Sequence, residues 1–344
     1  MRFEHVHLEA FGHALPDEVT TSAELEEQLA PLYERLGLSV GRLELMSGIA
    51  ERRFWPEGTR PSEVATLAAE DALARSGIDR ARLGMLVHAS VCRDFLEPAT
   101  ASVVHGALGL PDTCVAFDLS NACLGFVNSM VVVARAIEAG ECEAGLVVAG
   151  EDGGPLVRRT LRHLVETPGL GRRELKLAYA SLTIASGAAA CVLTRDDLSR
   201  VDRRLVGGAS LAATEHVGLC QGDHADGGDP LMETDSERLL QAGNALAGRT
   251  WARLLEELGW RAEEVERVVT HQVGAAHRKL LLETLGIEPE RDYPTVGTLG
   301  NIGSVSLPLT FDLAERAGHI TPGQRVALLG IGSGLHCSML GVRA

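Results

Sequence analysis

Apolar positions fall into two kinds of run along this chain, and the two alternate from end to end. Stretches with apolar residues three or four apart predict helices at Thr66–Ser76, Ala99–Leu108 and Leu124–Ala139. Short, nearly continuous apolar runs predict strands at Met85–Val91, Cys114–Phe117, Gly145–Ala149 and Ala188–Leu193. Gly77 and Gly140 close the helices before them, since a glycine relieves the left-handed turn that ends a helix. The second half has the same grammar. Helices are expected at Glu237–Leu258, Ala275–Leu285 and Val305–Ala317, and strands at Val265–Gln272, Arg325–Ile331 and Leu335–Val342. Strands without polar alternation imply sheets covered by helices on both faces, an α/β fold.

The halves also echo each other. Ser76–His88 and Leu258–Thr270 share a glycine followed by apolar residues in one register, with Leu83 matching Val265 and Leu86 matching Val268. LGLPD at 108–112 and LGIEP at 285–289 repeat the echo at nearly the same offset. Two matches in one order favour a duplicated fold, divided as residues 1–200 and 201–344. The helix expected at Leu124–Ala139 would run about 24 Å. It is apolar almost all round, which marks it as buried between layers.

Composition narrows the function. The chain has 344 residues, 45% hydrophobic and 23% charged, with a net charge of −15. That balance argues against a general nucleic-acid binder. No apolar run approaches the ~20 residues needed to span a bilayer. The start, MRFEHVHLEAFGHALP, lacks the zones of a signal peptide. Seven cysteines without paired short spacings read as reduced thiols, so a cytoplasmic protein is expected.

One cysteine has special surroundings. In SNACLGF, residues 120–126, Cys123 follows a strand and turn residues and precedes the buried helix. A helix N-terminus favours thiolate. A cysteine nucleophile needs a histidine and oxyanion donors. His271 and Gln272 come at the C-terminal end of a strand, where an α/β fold places reactive groups. Asn301 sits in the glycine-rich turn GTLGNIGSVSLP, and LLGIGSGLHCSML offers backbone N–H groups around Ser333. Taken singly these residues have blander readings: Cys123 as packing, His271 as a core histidine, Asn301 as a turn. Cys92, Cys114, Cys142, Cys191, Cys220 and Cys337 are read as packing. His271 and His277 lack a third ligand, so no metal site is expected. GDHADGGDP at 222–230 misses the spacing of a calcium loop and reads as a solvated loop.

The ordered set of cysteine, HQ, GNIG and closing GIGSG resembles the thiolase superfamily, in its β-ketoacyl synthase III branch. SVCRDFLEPATAS at 90–102, SNACLGF and GIGSGLHCSM resemble in particular the OleA-type enzymes, which join two acyl-CoA chains head to head. The resemblance spans the chain and implies a five-layered α-β-α-β-α thiolase fold in a homodimer. It implies that Cys123 is acylated, that His271 and Asn301 hold the thioester oxygen of the second substrate, and that the N–H groups of Cys123 and Ser333 form the other oxyanion site. Glu97 would be the base, acting in the partner subunit. An acyl-CoA has no carboxylate to lose, so its α-proton must be removed by a base of raised pKa. Glu97 also reads as part of a helix start. Arg52, Arg53 and Arg278 are candidate CoA contacts. The branch's HQxNxR is absent here, with Gly274 and Ala276 in its place and Arg278 displaced by two. The resemblance implies fatty acyl-CoA substrates, CoA as their carrier, no other cofactor, and downstream enzymes making olefins or β-lactones. A decarboxylating synthase III or related acyltransferase, and a non-catalytic subunit, are the alternatives.

Overall fold

The computed structural model describes residues 1–223 and 230–344. Most of the 222–230 loop therefore lies outside the described residues. Nine strands form one continuous sheet. In the N-terminal half, Val6–Ala14 pairs antiparallel with Gly187–Arg195, which pairs antiparallel with Ala144–Glu151; that strand runs parallel to Leu83–His88. In the C-terminal half, Arg204–Ala212 pairs antiparallel with His336–Arg343, which pairs antiparallel with Arg325–Gly332; that strand runs parallel to Arg267–Thr270. One connectivity thus occurs twice. Val115–Asp118 forms the outer edge of the first half, and Asp292 bridges Val268 in the same sense in the second. The two half-sheets meet at the register pair His7 with Arg204 and at a further antiparallel bridge, Arg2 with Gly207.

The echoed segments share their turns as well. Gly77 and Gly259 both end helices in the left-handed region, at φ +61° and +65°, and each is followed by a 3-10 turn and a strand. Gly109 and Gly286 likewise end their helices in the left-handed region, at φ +61° and +64°.

Alternate strand residues face opposite layers, as a pleat requires. Val87, Val147 and Leu328 point into a core with Phe126 and Met130 of the helix Gly125–Glu138, and with Leu309 and Phe311 of the helix Ser306–Arg316. Leu86, Leu146 and Val148 point the other way, under the helices Pro61–Ser76 and Thr100–Leu108. Ala327 and Leu329 meet the helices Ser236–Leu258 and Ala275–Leu285. The layers run α-β-α-β-α, the thiolase architecture. No described helix is long and apolar enough to cross a membrane.

Several boundaries differ from those expected. The strands end at His88 and Thr270, which leaves His271 and Gln272 just beyond the sheet. The first long helix begins five residues early, at Pro61, where a proline loses no helical hydrogen bond. The strand Val6–Ala14 was not expected, because His7 and Glu9 break its apolar run. Both are buried, and the Glu9 carboxylate accepts from the Ser199 hydroxyl at 2.7 Å and the Arg200 N–H at 3.0 Å.

Candidate active site

Cys123 stands two residues ahead of the central helix, on a turn that the local sequence forces. Ala122 adopts φ +47°, which costs a non-glycine residue roughly 1–2 kcal/mol. A Cβ on Gly125 would lie 2.2 Å from the Ala89 carbonyl oxygen, so only glycine lets the helix start this close to the sheet. Asn121 donates to the Asn128 side chain at 2.7 Å and ties the turn to the helix. From the other half, Gly332 comes up against the backbone of Cys123 and Leu124. The hairpin turn beyond it, with Gly334 at φ +80° and Leu335 at φ +51°, carries Ser333.

His271 follows the strand Arg267–Thr270, its N–H bound to the Leu329 carbonyl at 2.9 Å. Gln272 acts as a clamp. Its amide nitrogen donates to Thr270, and its oxygen accepts the N–H groups of Thr295 and Val296, which lead into the Asn301 turn. Gly300 holds φ +67° with Thr183 and Ala185 close by, so a side chain there would be strained. Asn301 then bonds through its backbone to Thr183 and Ala185. Its Oδ1 accepts the Gly303 N–H at 3.1 Å, which orients the side-chain NH2 as the free donor.

Cys123, His271, Asn301 and Ser333 line one cavity of about 310 Å³. Its walls include Met46, Ile184, Met232, Leu239 and Leu240, and no Asp, Glu, Lys or Arg is among the lining residues described. Such a space favours uncharged forms. Burial pushes the Cys123 thiol up to about 12, with Glu151 and Cys220 adding to the effect. The helix end therefore does not make Cys123 a resting thiolate, contrary to expectation: desolvation outweighs it. Burial, reinforced by neighbouring His277, holds His271 down to about 3. The site rests as a thiol beside a neutral imidazole and an amide, two uncharged donors suited to a carbonyl oxygen that gains charge.

Other candidates lie elsewhere. Arg52 is completely buried, its guanidinium donating to the Leu182 carbonyl and the Ser22 hydroxyl. Arg53 donates to the Pro16 carbonyl at 2.8 Å. Arg278 pairs with buried Asp292 at 2.5 Å. None of the three lines the cavity: Arg52 is sealed inside the fold, whereas Arg53 and Arg278 are only partly buried and also tie neighbouring segments together. Glu97 is exposed, also outside its own chain's cavity. The helix-start reading of Glu97 fails, because Asp118 accepts the Thr100 and Ala101 N–H groups at 2.9 and 2.8 Å. The described residues that could gather around a metal are His13, Asp71 and Asp312, where Arg75 and Arg316 already supply the positive charge.

Residues 255–343 match the family described as 3-oxoacyl-[acyl-carrier-protein] synthase III C terminal, and residues 50–159 match the thiolase N-terminal domain. An acyl-CoA:acyl-CoA alkyltransferase from Shewanella oneidensis is 40% identical over 350 residues, with 100% of both chains covered. One from Xanthomonas campestris is 39% identical, with 98% of each covered. The chain belongs to the acyl-CoA:acyl-CoA alkyltransferase family of the thiolase superfamily. Xanthomonas campestris OleA with bound cerulenin superposes at a TM-score of 0.96 and 39% identity, covering 100% of this chain and 98% of that one. OleA with lauric acid and lauroyl-CoA gives 0.94 and 38%, covering 99% and 100%. That enzyme has also been solved with a cysteine, a glutamate or a histidine replaced.

In this member of the alkyltransferase family the sequence reading missed three groups near the reacting atoms. Cys220, read as packing, lines the cavity, as does His277. Glu151 ends a central strand and is buried, its carboxylate accepting from Val91, Cys92 and Ser304. Nothing in its local pattern separates it from an exposed strand end.

Proposed function

We propose that this protein condenses two fatty acyl-CoA molecules head to head, without decarboxylation. The observation that carries the reading is a thiol, a neutral imidazole and an amide opening together on an apolar cavity whose described lining has no ionic side chain. Cys123 Sγ attacks the thioester carbonyl carbon, the bond to the CoA sulfur breaks, and the thiol proton passes by way of His271 to the departing CoA. A second acyl-CoA then loses an α-proton to a carboxylate. Its enolate oxygen accepts hydrogen bonds from His271 and Asn301, and its α-carbon attacks the acyl-cysteine. The acyl oxygen meets the N–H groups of Cys123 and Ser333, and collapse releases Cys123, which regains a proton from the base. Hydrolysis of the β-ketoacyl-CoA yields a 2-alkyl-3-keto acid, which downstream enzymes convert to an olefin or β-lactone. CoA serves only as the substrate's carrier, and no step needs a metal or redox group.

The base comes from a second copy of the chain. No described carboxylate lines the cavity, and Glu97 lies on a loop that exposes Val91, Phe95 and, at 93%, Leu96. Beside that loop the edge strand Val115–Asp118 exposes Val115. Apolar side chains next to an open sheet edge fit burial in a homodimer, which would place each Glu97 at its partner's cavity. Incubation with a fatty acyl-CoA alone tests the reaction: release of CoA together with a 2-alkyl-3-keto acid is expected. A requirement for malonyl-ACP would instead establish the decarboxylating alternative.

A further inference from the structure

His277 has no part in that chemistry, yet it shares the cavity wall with His271. It stands in the first turn of the helix Ala275–Leu285 and lines the cavity. Its Nδ1 is buried and has no hydrogen-bond partner among the described residues. Buried ring nitrogens are normally paired, and an unpaired Nδ1 leaves the tautomer unfixed, so the ring can offer either a donor or an acceptor to the cavity through Nε2. Burial holds His277 down to about 4, so near neutral pH the ring is uncharged, with one N–H donor and one acceptor.

Its place along the cavity indicates which part of a substrate it meets. Met46, Ser236 and Ala276 line the cavity and are exposed, which marks its mouth. His271 and Asn301, both buried, lie at the reacting end. Gly48 packs against Ala275, so the helix Arg42–Ser47 and the first turn of His277's helix flank the entrance. A thioester whose carbonyl reaches His271 must lead its carrier out past this turn. The carrier arm common to CoA and acyl carrier protein is uncharged and contains amides, each with one donor and one acceptor. A neutral imidazole matches an amide, whereas a lysine or arginine would be desolvated without a counter-charge.

We propose that His277 holds the pantetheine arm of the acyl thioester by a hydrogen bond to one of its amides, a specificity contact for the carrier. This rests on the acyl-thioester reading above. The test is the Kd of free CoA and of pantetheine, with no chemistry involved, for the wild type, His277→Ala and His277→Asn. H277A is expected to weaken both about tenfold, the worth of one hydrogen bond, and H277N to recover part of the loss. Acylation of Cys123 should show a raised KM with a nearly unchanged maximal rate for acyl-CoA and acyl-ACP alike. With an acyl ethanethiol ester, which lacks the amides, H277A and wild type should be equal. CoA and pantetheine affinities within twofold of wild type, or an equal loss with the ethanethiol ester, would overturn the assignment. Failure of the wild type to acylate Cys123 from any thioester is a separate result, against the condensation itself.

Discussion

The Glu151 carboxylate accepts a 2.6 Å hydrogen bond from the Ser304 hydroxyl, joining the start of the Glu97 loop to the Asn301 turn. The same carboxylate accepts the N–H groups of Val91 at 3.0 Å and Cys92 at 3.1 Å. Glu151→Ala leaves these donors unpaired, at about 1–3 kcal/mol for each that stays buried. Urea unfolding should show a loss of about 3 kcal/mol or more, and Glu151→Gln, which keeps one acceptor, a smaller one. Wild-type stability in both variants would remove Glu151 from this role.

Glu97→Ala should still acylate Cys123 but form no keto acid. The sharper experiment mixes Glu97→Ala chains with Cys123→Ala chains. If each base serves its partner, a mixed dimer holds one intact site, and random pairing restores roughly a quarter of wild-type activity. No recovery on mixing, with mixed dimers verified, would confine Glu97 to its own subunit.

The raised Cys123 pKa makes alkylation a direct probe of the resting thiol. Iodoacetamide should modify it slowly near neutral pH and roughly tenfold faster per pH unit up to about pH 11, where an ordinary cysteine has levelled off. The folded protein keeps this proton to about 12, whereas an unperturbed thiol loses it at 9.0. Stability therefore falls as pH rises through that interval. Fast, pH-independent alkylation at pH 7 would show a preformed thiolate instead.

Acid should act through the buried histidines. His271 and His277 sit near 3 and 4 when folded, against 6.5 for the ordinary side chain. Below 6.5 the unfolded chain takes up protons that the native state refuses. Their contribution is intact above that pH and falls with it, by up to about 1.4 kcal/mol per unit for each ring. Unfolding free energies at pH 7 and pH 5 should differ accordingly, and His277→Asn should reduce the slope. An unchanged slope would mean that His277 titrates normally.

Cys123, His271 and Asn301 stood out only as an ordered set resembling the thiolase superfamily, and the structure shows the local work of their motif neighbours: Gly125 for the close helix, Gln272 for the clamp, Gly300 for the turn. The alternation of helices and strands was legible because burial on both faces leaves a periodic trace. Val6–Ala14 was not, because Glu9 is accommodated by partners about 190 residues away. Arg52 was read from the resemblance as a CoA contact or else as solvated surface, and only packing shows it sealed against Leu182 and Ser22.

By itself, then, the sequence determined the alternation of helices and strands and the duplicated grammar, which follow from short-range periodicity and turn chemistry, while the five layers and the reacting set came from the family resemblance its motifs carry. Tertiary structure decided the rest. It made Cys123 a thiol rather than a thiolate, since desolvation depends on what surrounds a group in space. It brought Cys220 and His277 to the cavity, set Glu151 between two loops, and left Glu97 outside its own site, because those relations join residues far apart along the chain.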